Sequence, residues 1–128
     1  MRIEEIDKNF VTAKIGEQEF NFLEAWKKPF LLSGLAWFDQ EKVLCRLPQD
    51  ALPLQNDGVK SLAWHTAGAQ VRFRSNSSKI ALRASLLSPS GMPHMPASGQ
   101  SGFDLYLGTG CKKTFIKITS PSPVNRLF

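Results

Sequence analysis

No stretch of this 128-residue chain approaches the run of about 18 apolar side chains that a membrane-spanning helix needs. Its first ten residues, MRIEEIDKNF, carry three acidic side chains and no apolar core of the kind a secretory signal has. The expected location is therefore cytoplasmic, with no membrane partner. There are two cysteines, Cys45 and Cys111, far apart and in no ligand-like spacing. A metal site or a disulfide framework is not expected, and the plain expectation is two core or near-core thiols. No cofactor-binding pattern is present, and there are no internal repeats. Lysine and arginine outnumber the acidic residues 16 to 11, for a formal charge of +5 and a pI near 9.5. Yet there is no basic block: the cations are spread as Lys27-Lys28, Arg72, Arg74, Arg83 and Lys112-Lys113. Nucleic acid is not an expected partner.

Hydrophobic residues make up 42% of the chain, with nine Phe and three Trp. A chain of this size buries about two thirds of its unfolded surface as one domain, and we place that domain at residues 1–118. The final residues, 119–128, hold two prolines without periodicity and read as tail or linker. Ile3, Ile6 and Phe10 fit a helical spacing only in part. Val11–Ile15 and Phe20–Leu23, joined across Gly16-Glu17-Gln18, read as a hairpin. Glu24–Lys28 has helical propensity that Pro29 ends. Leu31–Phe38 is apolar, interrupted by Ser33-Gly34. Lys42–Leu47 alternates weakly as a strand closed by Pro48. Asn56-Asp57-Gly58 is a turn, and Val59–Trp64 a short strand.

Thr66–Ala69 offers small residues where backbone can approach backbone. Val71–Arg74 and Ile80–Leu86 alternate around Ser75–Ser78 and predict an antiparallel pair. A long loop from Pro89 then leads to Gly102, after which Phe103, Leu105 and Leu107 alternate with Asp104 and Tyr106. This places a buried or semi-buried carboxylate at the entrance of a core strand. Gly108-Thr109-Gly110 turns the chain into Lys113–Ile118. About seven short strands with turn signals roughly every ten residues indicate an all-β fold, an antiparallel β-sandwich.

GFDLY at Gly102–Tyr106 resembles the Gly-x-Asp-Leu-Tyr signature of the domain found at the N-terminus of SGNH-type esterases. CRLP at Cys45–Pro48 is similar to that family's Arg-Leu-Pro segment. The run LAWHTAGAQVRFRSNSSKIALRASL, and the Met-rich MPHM before the glycine, also fall in family order. The resemblance covers roughly residues 29–107. It implies a jelly-roll-like sandwich packing against a separate C-terminal hydrolase domain, and makes Arg46, Gly102, Asp104 and Tyr106 its motif residues.

The hydrolase's Gly-Asp-Ser and Asp-x-x-His blocks are not in this chain: Ser33-Gly34-Leu35 lacks the preceding Gly-Asp, and His65 and His94 lie in no Asp-x-x-His context. Without a base in reach of a serine there is no nucleophilic machinery, so no catalytic residue carries over. The expected function is a non-catalytic accessory domain of an SGNH-type ester hydrolase acting on an acylated carbohydrate or similar ester. The alternative is a free-standing carbohydrate-binding or protein-interaction sandwich.

Asp104 is expected to accept hydrogen bonds from loop amides, and Tyr106 to pack with its hydroxyl satisfied. Arg46 can pair with a carboxylate, Asp104 among the candidates. Trp64 and Trp37 read as core before sugar platforms. Met92, His94 and Met95, on a Pro-rich loop, suit a docking surface or substrate rim; a solvent loop without a role is the other reading. Because the family continues through further strands after the signature, an open sheet edge is expected. It would be closed by a homodimer or by Val124–Phe128 folding back.

Overall fold

The computed structural model describes residues 11–15, 18–88 and 91–119. The expectations for Met1–Phe10, for the Gly16-Glu17 turn and for residues 120–128 lie outside the described residues. In chain order the elements are β1 (Val11–Ile15), β2 (Gln18–Phe22), β3 (Leu31–Ser33), α1 (Phe38–Glu41), a 3-10 turn at Leu52–Leu54, α2 (Asp57–Leu62), β4 (Gln70–Arg72), α3 (Ala97–Ser101), β5 (Phe103–Thr109) and β6 (Lys112–Thr119). Strands dominate, in three antiparallel two-stranded sheets, β1–β2, β3–β4 and β5–β6. The chain divides into two compact units. One is Leu23–Ser75; the other gathers the described residues on either side of it.

The Leu23–Ser75 unit holds the buried apolar core of the described residues: Leu35, Phe38, Cys45 and Ala63. Three expectations change here. Glu24–Lys28 is not a helix but a pair of turns, with Lys27 N–H on Glu24 O and Phe30 N–H on Lys27 O. Pro29 removes the backbone donor that a further helical turn would need. Val59–Trp64 is not a strand. Asn56 caps α2 instead, its Oδ1 accepting from Val59 N–H at 3.0 Å, so the turn chemistry of Asn56-Asp57-Gly58 starts a helix.

Lys42–Leu47 is not a strand either. α1 ends with Lys42 in the left-handed region (φ 56°), and the chain then packs on the end of α2. Ala63 O, left without an intrahelical donor, accepts from Arg46 N–H at 2.9 Å and from Cys45 Sγ at 3.5 Å. Burial of Cys45, 1% exposed, decides the path of this segment over its weak alternation.

The largest correction concerns residues 71–86. β4 does not pair with Ile80–Leu86; it pairs with β3, Leu31 opposite Arg72 and Ser33 opposite Gln70. The polar run Ser75–Ser78 spans the boundary between the units rather than a hairpin turn. The small residues of Thr66–Ala69 do what their size suggested. Gly34, at φ +88°, lies where an added Cβ would come within 2.8 Å of Gly68 O and 3.1 Å of Ala69 Cα. Two backbones meet there, and β3 and β4 zip from that contact. Arg72 donates across the pair to Ser33 Oγ at 3.1 Å, and Phe30 meets Phe73 edge-on, with ring centroids 5.3 Å apart.

In the other unit the β1–β2 hairpin forms as expected, Val11 opposite Phe22 and Ile15 opposite Gln18. Half-buried Phe20 and Phe22 alternate with exposed Glu19 and Asn21, the two-residue period of a strand. β5 and β6 make the longest pair. Their turn is tighter than the glycines suggested: Thr109 and Lys112 are still partners, and only Gly110 and Cys111 lie between them. Cys111 is exposed, not a near-core thiol.

Candidate functional site: the glycine-led hairpin and its loop

Met92–Met95 forms a turn, Met95 N–H reaching Met92 O at 3.4 Å. Met92 and Met95 are each 38% exposed and His94 is exposed. Behind the turn runs α3, which the Pro-Ser-Gly composition had concealed. Pro96 occupies its N-cap and takes the N–H groups of Gly99 and Gln100 at 2.9 and 3.1 Å. From α3 the Gln100 carboxamide reaches back to the turn. Oε1 accepts from Met92 N–H at 2.9 Å, and Nε2 donates to Met92 O at 2.8 Å and to Met95 O.

Gly102 joins α3 to β5. Its N–H donates to Ser98 O at 2.9 Å, and its φ of −83° suits any residue. The reason for glycine is space: an added Cβ would collide with Ser98 O and lie 2.6 Å from Thr119 O. The helix end is thus pressed directly on the last residue of β6.

On the hairpin the register shifts by one: Leu105 faces Lys117 but Tyr106 faces Phe115, leaving Ile116 as a bulge. Cross-strand partners share a face, so Asp104 and Tyr106 lie with Ile118 and Phe115. Tyr106 and Phe115 meet edge-on, 5.6 Å between centroids, each 50% exposed. Asp104 is exposed rather than buried, and the expected burial is corrected on that point. One loop amide, Met92 N–H, is held by Gln100 Oε1 instead. Lys112, Lys113 and Lys117 leave the hairpin cationic.

A family described as GxDLY, the N-terminus of SGNH-hydrolase-type esterases, matches residues 20–127. The chain belongs to the GxDLY family. The match runs past residue 107 and takes in all of β6, as well as all of the Leu23–Ser75 unit. The comparisons with curated proteins and with solved structures gave no match. The GxDLY signature itself falls on the α3–β5 junction and the first strand of the bulged hairpin.

The remaining sequence-derived residues of this GxDLY chain sit in the Leu23–Ser75 unit. Arg46 fastens the segment after α2: its N–H holds Ala63 O and its Nη2 donates to Ala67 O. The guanidinium's acceptor is a backbone carbonyl, not a carboxylate. Trp64 is 38% exposed and Trp37 39% exposed, so neither is core. Trp26, 48% exposed, lies against Phe38 with centroids 6.0 Å apart. Among the described residues no three His, Cys, Asp or Glu gather as metal ligands would, and no helix is long and apolar enough to cross a membrane.

Gln100 is the residue that sequence reasoning missed. The signal was Pro96, which favours the start of a helix and so places Gln100 one turn on, facing back toward the loop. Gly99 inside the segment masked it.

Proposed function

We propose that this GxDLY chain is a non-catalytic accessory domain of an SGNH-type ester hydrolase, built as a β-sandwich that helps shape the hydrolase site. The ester is that of an acylated carbohydrate or a chemically similar substrate. The observation that carries the reading is the family match over residues 20–127. The test is hydrolysis of an aryl acetate by the purified chain. No turnover above background is expected; turnover abolished by a single Ser→Ala change within the chain would overturn the reading.

A second reading has one observation in its favour. All three tryptophans, Trp26, Trp37 and Trp64, lie in the Leu23–Ser75 unit and are each more than a third exposed, as sugar-stacking indoles must be. Quenching of their fluorescence by neutral oligosaccharides would favour a carbohydrate-binding module. A homodimer belongs to the same set of proposals, since β5 and β6 each have one side turned away from the other strand. Light scattering reads it directly.

A further inference from the structure

The segment Gly91–Pro96 has no means of holding a shape by itself. Its glycine and methionines are flexible, its prolines lack donors, and the turn's own hydrogen bond, 3.4 Å from Met95 N–H to Met92 O, is long. Gln100 supplies what is missing. A carboxamide has two N–H donors and one acceptor oxygen, and this one directs its oxygen and both kinds of bond to the turn, on Met92 N–H, Met92 O and Met95 O. Gln100 is itself fixed, because α3 is pinned at one end by Pro96 O and at the other by Gly102 N–H on Ser98 O. The close fit of Gly102 under Thr119 O then ties that helix to β6. The Met95 side chain lies along Gly99, whose missing Cβ would stand 3.2 Å from Met95 Cγ.

The chemistry presented is unusual for this protein. From Gly91 through Gly102 there is no Lys, Arg, Asp or Glu, in a chain that carries 16 basic and 11 acidic residues. What is offered is two thioethers, one imidazole and proline rings, held in place. Such a surface desolvates without stranding a charge, and a held loop loses less freedom on binding than a loose one. Thioethers adapt to apolar protein surface, whereas an ionic ligand would find no counter-charge here.

We propose that Met92, His94 and Met95 are a preorganised contact element, that Gln100 is the positioning residue that sets its shape, and that its occupant is the hydrolase domain. This rests on the accessory-domain reading, because a GxDLY domain is the N-terminal portion of such an esterase.

The experiment is amide hydrogen exchange on this chain alone and on the enzyme in which it is joined to its hydrolase domain, each as wild type, Gln100→Ala, Gln100→Glu and Met92→Ala/Met95→Ala. In the chain alone, Met92 is expected to exchange about tenfold or more faster in both Gln100 variants, a factor in keeping with the loss of one or two hydrogen bonds. Glutamate can still accept from Met92 N–H, but its second oxygen faces Met92 O and Met95 O with no proton to donate, and the repulsion is expected to drive the side chain off the turn as alanine's truncation does. In the joined enzyme, residues 92–95 are expected to gain further protection. That gain should fall in the Met92→Ala/Met95→Ala variant, while the melting temperature of the domain stays unchanged. Equal exchange in wild type and the Gln100 variants would overturn the positioning role. Protection by the hydrolase confined to other segments would overturn the contact element and leave the accessory reading standing. A hydrolase domain that protects no part of this chain would overturn both.

Discussion

Gly102→Ala separates steric demand from backbone freedom. Gly102 sits at φ −83°, ψ 170°, a conformation open to alanine, so nothing is lost through dihedral strain. Removing the glycine's extra freedom from the unfolded chain would by itself stabilise by about 0.4–1 kcal/mol. Against this stands the new methyl, which meets backbone on every side: Ser98 O, Thr119 O at 2.6 Å and Ser98 C at 2.8 Å. None of these can swing away as a side chain could. Overpacking of this kind costs roughly 1–3 kcal/mol, and displacing α3 adds about 1 kcal/mol for the hydrogen bond from Gly102 N–H to Ser98 O. The net expectation is a loss of about 1–3 kcal/mol, or roughly 4–12 °C in melting temperature at about 4 °C per kcal/mol. The control is Gly99→Ala, whose methyl would meet only the flexible Met95 and Pro96 side chains and sits inside a helix, where alanine gains up to about 1 kcal/mol over glycine. Thermal unfolding by circular dichroism reads both. If Gly102→Ala melts with the wild type, or below it by no more than Gly99→Ala, the close-approach argument is wrong.

Asp104→Asn, at an exposed position, is expected to change stability by no more than about 0.5 kcal/mol in chemical denaturation. A loss well beyond that would restore the buried-carboxylate role. The two thiols should separate cleanly: Cys111, exposed at the hairpin turn, reacts at once with a thiol reagent, while Cys45, 1% exposed, reacts only as the domain opens. Two equivalents released in a single fast phase would contradict the burial of Cys45.

The parts of the fold that the sequence made legible are those where partners are neighbours in the chain. β1–β2 and β5–β6 each pair across a short turn, and the two-residue alternation of Phe20 and Phe22 or of Leu105 and Leu107 is read without knowing anything distant. Residues 71–86 carried the same local signal and misled, because the choice lay with Gly34 and Gly68, which let β3 approach β4 from far away in sequence. Asn56-Asp57-Gly58 misled for another reason. Asparagine starts turns and caps helices by the same kind of side-chain bond, and only the one that Val59 N–H donates to Asn56 Oδ1 tells them apart here. In the candidate site, Gly102 and the Met-Pro loop were visible as composition. Gln100 was not, since its function depends on a short helix whose sequence signal Gly99 obscures. The burial of Asp104 was inferred from alternation alone, which says which residues share a face but not whether anything covers it.

The bulge at Ile116 bears on how chains of different length can share this hairpin. Leu105 keeps Lys117 and Tyr106 keeps Phe115 with Ile116 between them, unopposed. A relative lacking one residue at that point would retain every cross-strand neighbour and lose only the local kink. Loss of a residue elsewhere in β6 would slide lysines onto the face now held by aromatic and branched side chains. One position in the strand is therefore a natural splice point for gaps, and an apolar spacing of three, Phe115 to Ile118, belongs here to a strand, although it is the interval usually taken as the mark of a helix.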